Sequence, residues 1–387
     1  MTTATTTEGQ YSLNQEQRDF LEVIRQMVVE KVAPRAAEID ETGEFPEDIR
    51  QLFAEHDIFG LPFEQKYGGT GTGELMLCLA IEEISKACAS SGVMLAAQDL
   101  SSLPIRLYGS DDLKDRLLPE MAAGRILGAF ALSEPEAGSD PGSMRTSAKK
   151  VEGGWVLNGA KNWITNSGVA DIYITFAVSD HDVKFSQGIT AFAVRGDAEG
   201  FRIDSLEKKM GMKGSPTGSP VYGDVFVPDE DVIGEPGEGF KVAMATLDRS
   251  RLGIAAQAVG IAQGATDFAA NYAKERIAFG KPINRLQGIQ FKLADMETHT
   301  AAARELLYRA ASMAETDDPG LGKFSAMAKL FASDVAMDVT VEAVQVLGGF
   351  GYVKEYPVER MMRDAKLTQI YEGTNEIQRV VVARTLA

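Results

Sequence analysis

The sequence is poor in the residues that most often carry metal and redox chemistry. Its three histidines, His56, His181 and His299, are scattered and form no His-x-x-x-His pair, which disfavours a zinc hydrolase. The two cysteines, Cys78 and Cys88, fit neither a metal-site spacing nor a thioredoxin pair and read as buried thiols. No apolar run approaches the roughly 18 residues of a membrane span. The Thr-rich start, Met1 to Gln10, lacks the basic opening and apolar middle of a signal peptide. Residues 1–11 are therefore expected to be a disordered tail on a cytoplasmic protein. Long Lys/Arg runs are missing too, and the net charge is −17. That balance repels polyanions and disfavours a nucleic-acid binder.

What is present points to several domains, because 387 residues exceed what one core usually accommodates. From about residue 12 to 125 the texture is helical, with Leu21, Ile24, Val28 and Val32 at spacings of three or four. Between residues 126 and 235 it changes to short runs rich in β-branched and aromatic residues, such as 172–178, 189–194 and 221–227. Asn158-Gly159 reads as a hairpin pair there. From 236 to 387 helical texture returns, with extended helices expected over about 242–278, 287–314 and 322–346. The first is apolar around much of its circumference and expects cover from a bundle or from other subunits. Pro357 can open a further helix, running to Tyr371.

Five short segments can carry chemistry. The Gly-rich stretch 67–73 is not among them, since it lacks both a P-loop Gly-Lys-Ser/Thr and a preceding strand, and reads as a loop. The segment 131–140, with Ser133 and Ser139, joins the helical and β regions, where ligand clefts often form; it also suits a plain turn and N-cap cluster. Lys161-Asn-Trp-Ile-Thr-Asn166 is strand-like, so Trp163 and Thr165 would share a face, although a core Trp is the simpler reading. Asp248 and Arg251 lie three apart on one helical face, as a ligand pair or a surface ion pair. Arg276, near Phe279, can meet a pyrophosphate or merely complement a helix end.

The fifth segment is Ile370-Tyr-Glu-Gly-Thr-Asn-Glu-Ile-Gln378. Gly373 can end one helix, Thr374 or Asn375 can cap the next, and Asn375 with Gln378 has capping-box spacing. A carboxylate at such a break, Glu372, is held rigidly yet can face a cleft. If desolvated there its pKa rises, as a general base near neutral pH requires; if exposed, it is simply solvated.

In this order and at these separations the motifs resemble the acyl-CoA dehydrogenase family over essentially residues 12–387, with the short-chain branch the nearest in pattern. The resemblance implies an N-terminal helical domain (12–125), a middle β-barrel or sandwich domain (126–235) and a C-terminal four-helix bundle (236–387). It implies one FAD per subunit. Phe130, Ala131, Leu132, Ser133 and Ser139 would line the flavin and the thioester end of the substrate. Trp163 and Ile164 would flank the isoalloxazine, with Thr165 near its N5. Arg276, Phe279 and Gln287, with Gln345, Val346, Leu347, Gly348 and Gly349, would hold the adenine side of a neighbouring subunit's FAD. Thr374, Asn375 and Glu376 complete the cofactor contacts. Asp248 and Arg251 match positions that contact CoA, and Tyr371 and Gly373 lie beside the thioester.

By the same resemblance Glu372 takes the α-proton of an acyl-CoA while the β-hydrogen leaves as hydride to the flavin. The product is a trans-2-enoyl-CoA, and an electron-transfer flavoprotein collects the electrons. A homotetramer acting in fatty-acid β-oxidation is implied as well. In the isovaleryl and long-chain branches the base sits on the Asp-x-x-Arg helix; here that place is Ser250, which disfavours them. The same fold run as an enoyl-CoA reductase or an oxidase is the alternative reading. A DNA-associated relative fits poorly with the acidic charge.

Overall fold

The structure, a computed structural model, describes residues 13–386; the expected tail of residues 1–11 lies outside the described residues. The chain begins with helices α1 (Gln15–Met27), α2 (Ala36–Thr42), α3 (Glu47–Glu55), α4 (Gly73–Ala87), α5 (Ala89–Tyr108) and α6 (Asp111–Ala122). Asn14 starts α1 through a reciprocal capping box with Gln17, satisfying two otherwise orphaned N–H groups. Helix α4 is buried at every position from Glu74 to Ser85. It is therefore a central helix, and its wall of Leu, Ile and Met side chains is covered on all sides. Cys78 and Cys88 are free buried thiols in this region.

A sheet follows, made of β1 (Gly128–Ala131), β2 (Ser147–Val151), β3 (Gly154–Ala160), β4 (Ile164–Thr165), β5 (Ile172–Val178), β6 (Ile189–Arg195), β7 (Phe201–Leu206), β8 (Thr217–Pro228) and β9 (Val232–Ile233). Its path is β4-β8-β3-β2-β5-β6-β9, with β1 added to β5 and β7 to β8. Most pairs are antiparallel, but β1 runs parallel to β5. Strand β5 is buried at all seven positions, which explains its unbroken apolar run. Asn158-Gly159 is not a hairpin turn. Both residues lie within β3, at a register shift against β8, and the β2–β3 turn falls at Glu152-Gly153 instead.

The last third holds α7 (Gly239–Glu275), a small hairpin of β10 (Ile277–Ala278) and β11 (Lys281–Pro282), then α8 (Gln287–Glu315), α9 (Leu321–Leu347), α10 (Val358–Thr368) and α11 (Asn375–Arg384). Helix α7 packs along α4, and glycine makes that approach possible. A Cβ at Gly260 would sit 2.3 Å from the Glu82 carbonyl, and one at Gly264 2.3 Å from that of Lys86. Helix α10 stops at Thr368, short of Tyr371. The segment up to Thr374 is irregular, and Glu372 (φ 51°) and Gly373 (φ 90°) are both left-handed. Thr374, not Asn375, caps α11 by accepting from the Ile377 N–H. Gln378 donates to the Glu372 and Gly373 carbonyls, so the expected Asn375–Gln378 capping box does not form. Among the described residues no helix is long and apolar enough to cross a membrane.

Candidate active site

The break between α10 and α11 aims Glu372 at α7. A non-Gly residue at positive φ costs on the order of 1 kcal/mol or more, and such strain is tolerated where the surroundings over-determine it. Here they do. Lys329 of α9, fully buried, donates from Nζ to the Gly373 carbonyl at 2.8 Å and to Asn375 Oδ1 at 2.9 Å. Gln378 donates to the same Gly373 carbonyl and to that of Glu372. Asn375 is itself fixed by Ser333 and Asp334. Tyr371, one residue before Glu372, is anchored by a hydrogen bond to Gln257 of α7.

The Glu372 carboxyl accepts a 2.7 Å hydrogen bond from the Ser250 hydroxyl. Burial pushes its pKa up to about 7; Ser250, Lys329 and Arg251 pull the other way, and the Asp99 carboxylate adds to the rise. Burial also brings Lys329 down to about 7, against the attraction of Glu372. Part of the Glu372 residue still meets solvent although its carboxyl is enclosed. That combination suits a base that must reach a substrate from a desolvated seat. Since a base acts ionised, kcat/KM is expected to rise tenfold per pH unit below about 7 and level off above it. Ser250→Ala removes a bond that favours the ionised form. Its rising limb is expected at higher pH in a kcat/KM–pH profile; an unmoved limb would detach Ser250 from the base.

Arg251 and Asp248 form no surface pair. The Arg251 guanidinium is buried, bonded to Asp248 at 2.6 Å, and its Nε has no partner among the described residues. A buried N–H without an acceptor near Glu372 is what a ligand oxygen would complete.

The two segments at the domain junction are tied together. Phe130 and Ala131 end β1, and Leu132, Ser133 and Glu134 follow. Asn162 donates its N–H to the Ser133 carbonyl at 2.9 Å. Lys161, wholly buried, donates to the Leu132 carbonyl at 3.1 Å and pairs with Glu134 at 2.8 Å. Burial lowers the Lys161 ammonium to about 8 despite that carboxylate. Burial alone would raise Glu134, but Lys161 and the Thr146 and Arg145 N–H groups hold it below the usual range. Lys161→Met would leave Glu134 buried and unpaired. It is expected to cost about 3–5 kcal/mol in a denaturant titration, whereas a loss under about 1 kcal/mol would contradict a structural role for the pair.

The run 161–166 is not a strand throughout. Only Ile164 and Thr165 pair, and Trp163 (φ 62°) and Asn166 (φ 65°) are left-handed. The face-sharing argument for Trp163 and Thr165 therefore fails. The simpler core reading of Trp163 fails as well, because the residue is 60% exposed. Trp155 is the core indole, packed on Phe192. Ser139 lies in the turn after Glu134.

A second cluster lies far from the base. Arg276, Phe279, Val346, Leu347, Gly348 and Gly349 line one cavity of about 550 Å³, within the range of ligand pockets. Gln287 and Gln345 do not line it. The Arg276 guanidinium stacks over the Phe350 ring at 5.3 Å. Phe279 occupies the β10–β11 turn at φ 52° and is 89% exposed, a strained aromatic held out from the surface. Arg276 follows α7 directly, 26 residues after Ser250. At about 1.5 Å per residue this puts roughly 39 Å between the cluster and the base. Thr374, Asn375 and Glu376 stay with Glu372.

Lys329 and Gln257 escaped the sequence reading, as did the roles of Lys161, Glu134 and Gln378. One signal was available: Lys329 stands alone in the small and apolar run Ala326-Met-Ala-Lys-Leu-Phe-Ala332. A cation in such a helix asks for a buried partner.

The site thus centres on a desolvated carboxyl, Glu372, held on a strained helix break and bonded to Ser250. Residues 14–125, 129–225 and 237–387 match the family descriptions "Acyl-CoA dehydrogenase, N-terminal domain", "middle domain" and "C-terminal domain". The chain is 47% identical to a probable acyl-CoA dehydrogenase, FadE25, of Mycobacterium tuberculosis, covering 97% of this chain and 96% of that one. The solved butyryl-CoA dehydrogenase of Megasphaera elsdenii superposes with a TM-score of 0.95 at 45% identity, covering 98% and 100%. A chain from structural work on the electron-transferring flavoprotein of Acidaminococcus fermentans and flavin-based electron bifurcation gives a TM-score of 0.95 at 41% identity, covering 98% and 99%. The chain belongs to the acyl-CoA dehydrogenase family, as the sequence motifs implied, and its cofactor is FAD.

The residues present fit that cofactor. The exposed Trp163 indole at the domain junction offers a flat face, and the Arg276 cavity offers a cation beside apolar walls.

Proposed function

We propose that this enzyme dehydrogenates a short acyl-CoA between its α- and β-carbons, giving the trans-2-enoyl-CoA, with Glu372 as the base. The observation that carries the reading is the Glu372 carboxyl, desolvated on a strained break and bonded to Ser250. Glu372 takes the α-proton. The Glu372 backbone N–H is assigned to the thioester carbonyl, where a fixed donor stabilises developing negative charge. Arg251, with its free Nε, and Asp248 bind CoA; Tyr371 and Gly373 shape the wall beside the thioester. Bound FAD supplies a two-electron acceptor for the β-hydrogen.

Phe130 to Ser133, Ser139 and Trp163 to Thr165 are assigned to the flavin end, and Thr374 to Glu376 complete it. Arg276, Phe279, Gln287 and Gln345 to Gly349 are assigned to the adenine end of a neighbouring copy's FAD. The separation of roughly 39 Å along α7 supports that division. A homotetramer, an electron-transfer flavoprotein as acceptor, a place in β-oxidation, a cytoplasmic location and domains at 12–125, 126–235 and 236–387 belong to the same reading. The relation to the Acidaminococcus chain supports the acceptor.

The test is anaerobic bleaching of oxidised flavin by acyl-CoAs from C4 to C16, with branched and dicarboxylic members. Rapid bleaching by the C4 thioester is expected. A holoenzyme that no acyl-CoA bleaches would overturn the proposal.

A further inference from the structure

Close to the base stands a second group of buried polar side chains that α-proton removal does not use. Glu74, near the start of α4, is 6% exposed, and its Oε1 has no hydrogen-bond partner among the described residues. Thr246 of α7 is fully buried, and its Oγ1 is equally unpartnered. Asp99 of α5, 3% exposed, pairs with Arg106 at 2.7 Å.

Packing brings these residues to the chamber of Glu372. Helices α5 and α7 run antiparallel: Gln257 donates to the Ala89 carbonyl at 2.8 Å, and a Cβ at Gly253 would meet Ala96 at 3.4 Å. Continued by one turn, that register sets Asp99 level with Ser250. Thr246 lies one turn before Ser250 and shares its face, and Ser250 holds Glu372. Helices α4 and α7 run parallel, with Gly260 against Glu82 and Gly264 against Lys86; continued toward the start of α4, that register sets Glu74 level with Leu252, and the Asp99 carboxylate acts electrostatically on both Glu74 and Glu372. Burial first, and then Asp99, push the Glu74 carboxyl up to about 8, against Arg106 and Arg249. At neutral pH Glu74 therefore keeps its proton and can both donate and accept.

A plain alkyl chain reaching this wall would leave two buried polar groups unsatisfied, which a site that excludes water tolerates poorly. A second carboxylate on the substrate fares no better, since Arg106 is already engaged by Asp99. A neutral oxygen function suits both orphaned groups. We infer that the acyl pocket takes a short acyl chain carrying a hydroxyl or keto oxygen beyond its β-carbon, with Glu74 and Thr246 as the specificity-determining residues. The inference rests on the dehydrogenase reading above.

The experiment compares 4-hydroxybutyryl-CoA with valeryl-CoA, which puts a methyl where the hydroxyl stood, on the purified holoenzyme with an artificial electron acceptor. The hydroxy thioester is expected to lead in kcat/KM by at least about tenfold, as a site built to bond a substrate hydroxyl should. Glu74→Leu and Thr246→Val should each invert or abolish that preference. Thr246→Val, nearly isosteric, serves if Glu74→Leu does not fold. A wild-type preference for valeryl-CoA, or a ratio that survives both substitutions, overturns the inference; buried water satisfying the two groups would give that result. If butyryl- and valeryl-CoA bleach the flavin while the hydroxyl is disfavoured, only the pocket inference falls. If no thioester bleaches it, the dehydrogenase reading falls with it.

Discussion

Glu372→Gln is expected to lower kcat for butyryl-CoA by about 10²–10⁴-fold while the purified protein keeps its FAD, the loss typical of removing a general base. The amide keeps the shape and can still accept from Ser250, so geometry is preserved and only basicity is lost. The same substitution carries a stability signature. The folded pKa of Glu372 is about 7 against an ordinary 4.5, so ionising it costs folding free energy. Below about 4.5 the group is protonated in both states and the cost vanishes. Above about 7 the cost is full, on the order of 3 kcal/mol. The variant should therefore melt higher than wild type at pH 8, with the gap closing toward pH 4.5. A variant less stable at pH 8 would show that the carboxylate is not desolvated in the folded protein.

Lys329 carries the second large effect. Its ammonium links α9 to the Gly373 carbonyl and to Asn375, so it fixes the turn that presents Glu372, and its charge favours ionised Glu372. Lys329→Met removes both contributions. A fall in kcat of about a hundredfold is expected, with the rising limb of the pH profile displaced to higher pH. The two contributions can be separated. Lys329→Gln keeps a donor without the charge, and should restore part of kcat while leaving the limb displaced. If Lys329→Met loses stability but its pH profile does not move, Lys329 is only a structural tie.

Much of this was legible in the chain itself, for physical reasons that differ by region. Helices α7, α8 and α9 each run for seven or more turns, so their apolar pattern repeats often enough to be read. Strand β5 announced itself because both its faces are buried. Strands β2 and β7, with Lys149-Lys150 and Arg202-Ile-Asp204, are largely exposed and draw their order from β3 and β8 rather than from composition. The left-handed residues Trp163, Phe279 and Glu372 were illegible for a related reason, since tertiary contacts impose those angles against local preference. Lys329 was missed because its partners lie 44 and 46 residues onward, beyond any local pattern. Glu372 itself stood out through its company: motifs far apart in sequence agreed on one family, and the fold supplied the burial that its immediate neighbours could not reveal.

The most direct test is the wash-out of α-deuterium from deuterated butyryl-CoA, followed by NMR in anaerobic holoenzyme. The wild type should exchange the label at a rate that climbs through about pH 7, and Glu372→Gln with bound FAD should not exchange it. Exchange by that variant at the wild-type rate would contradict the assignment of Glu372 as the base.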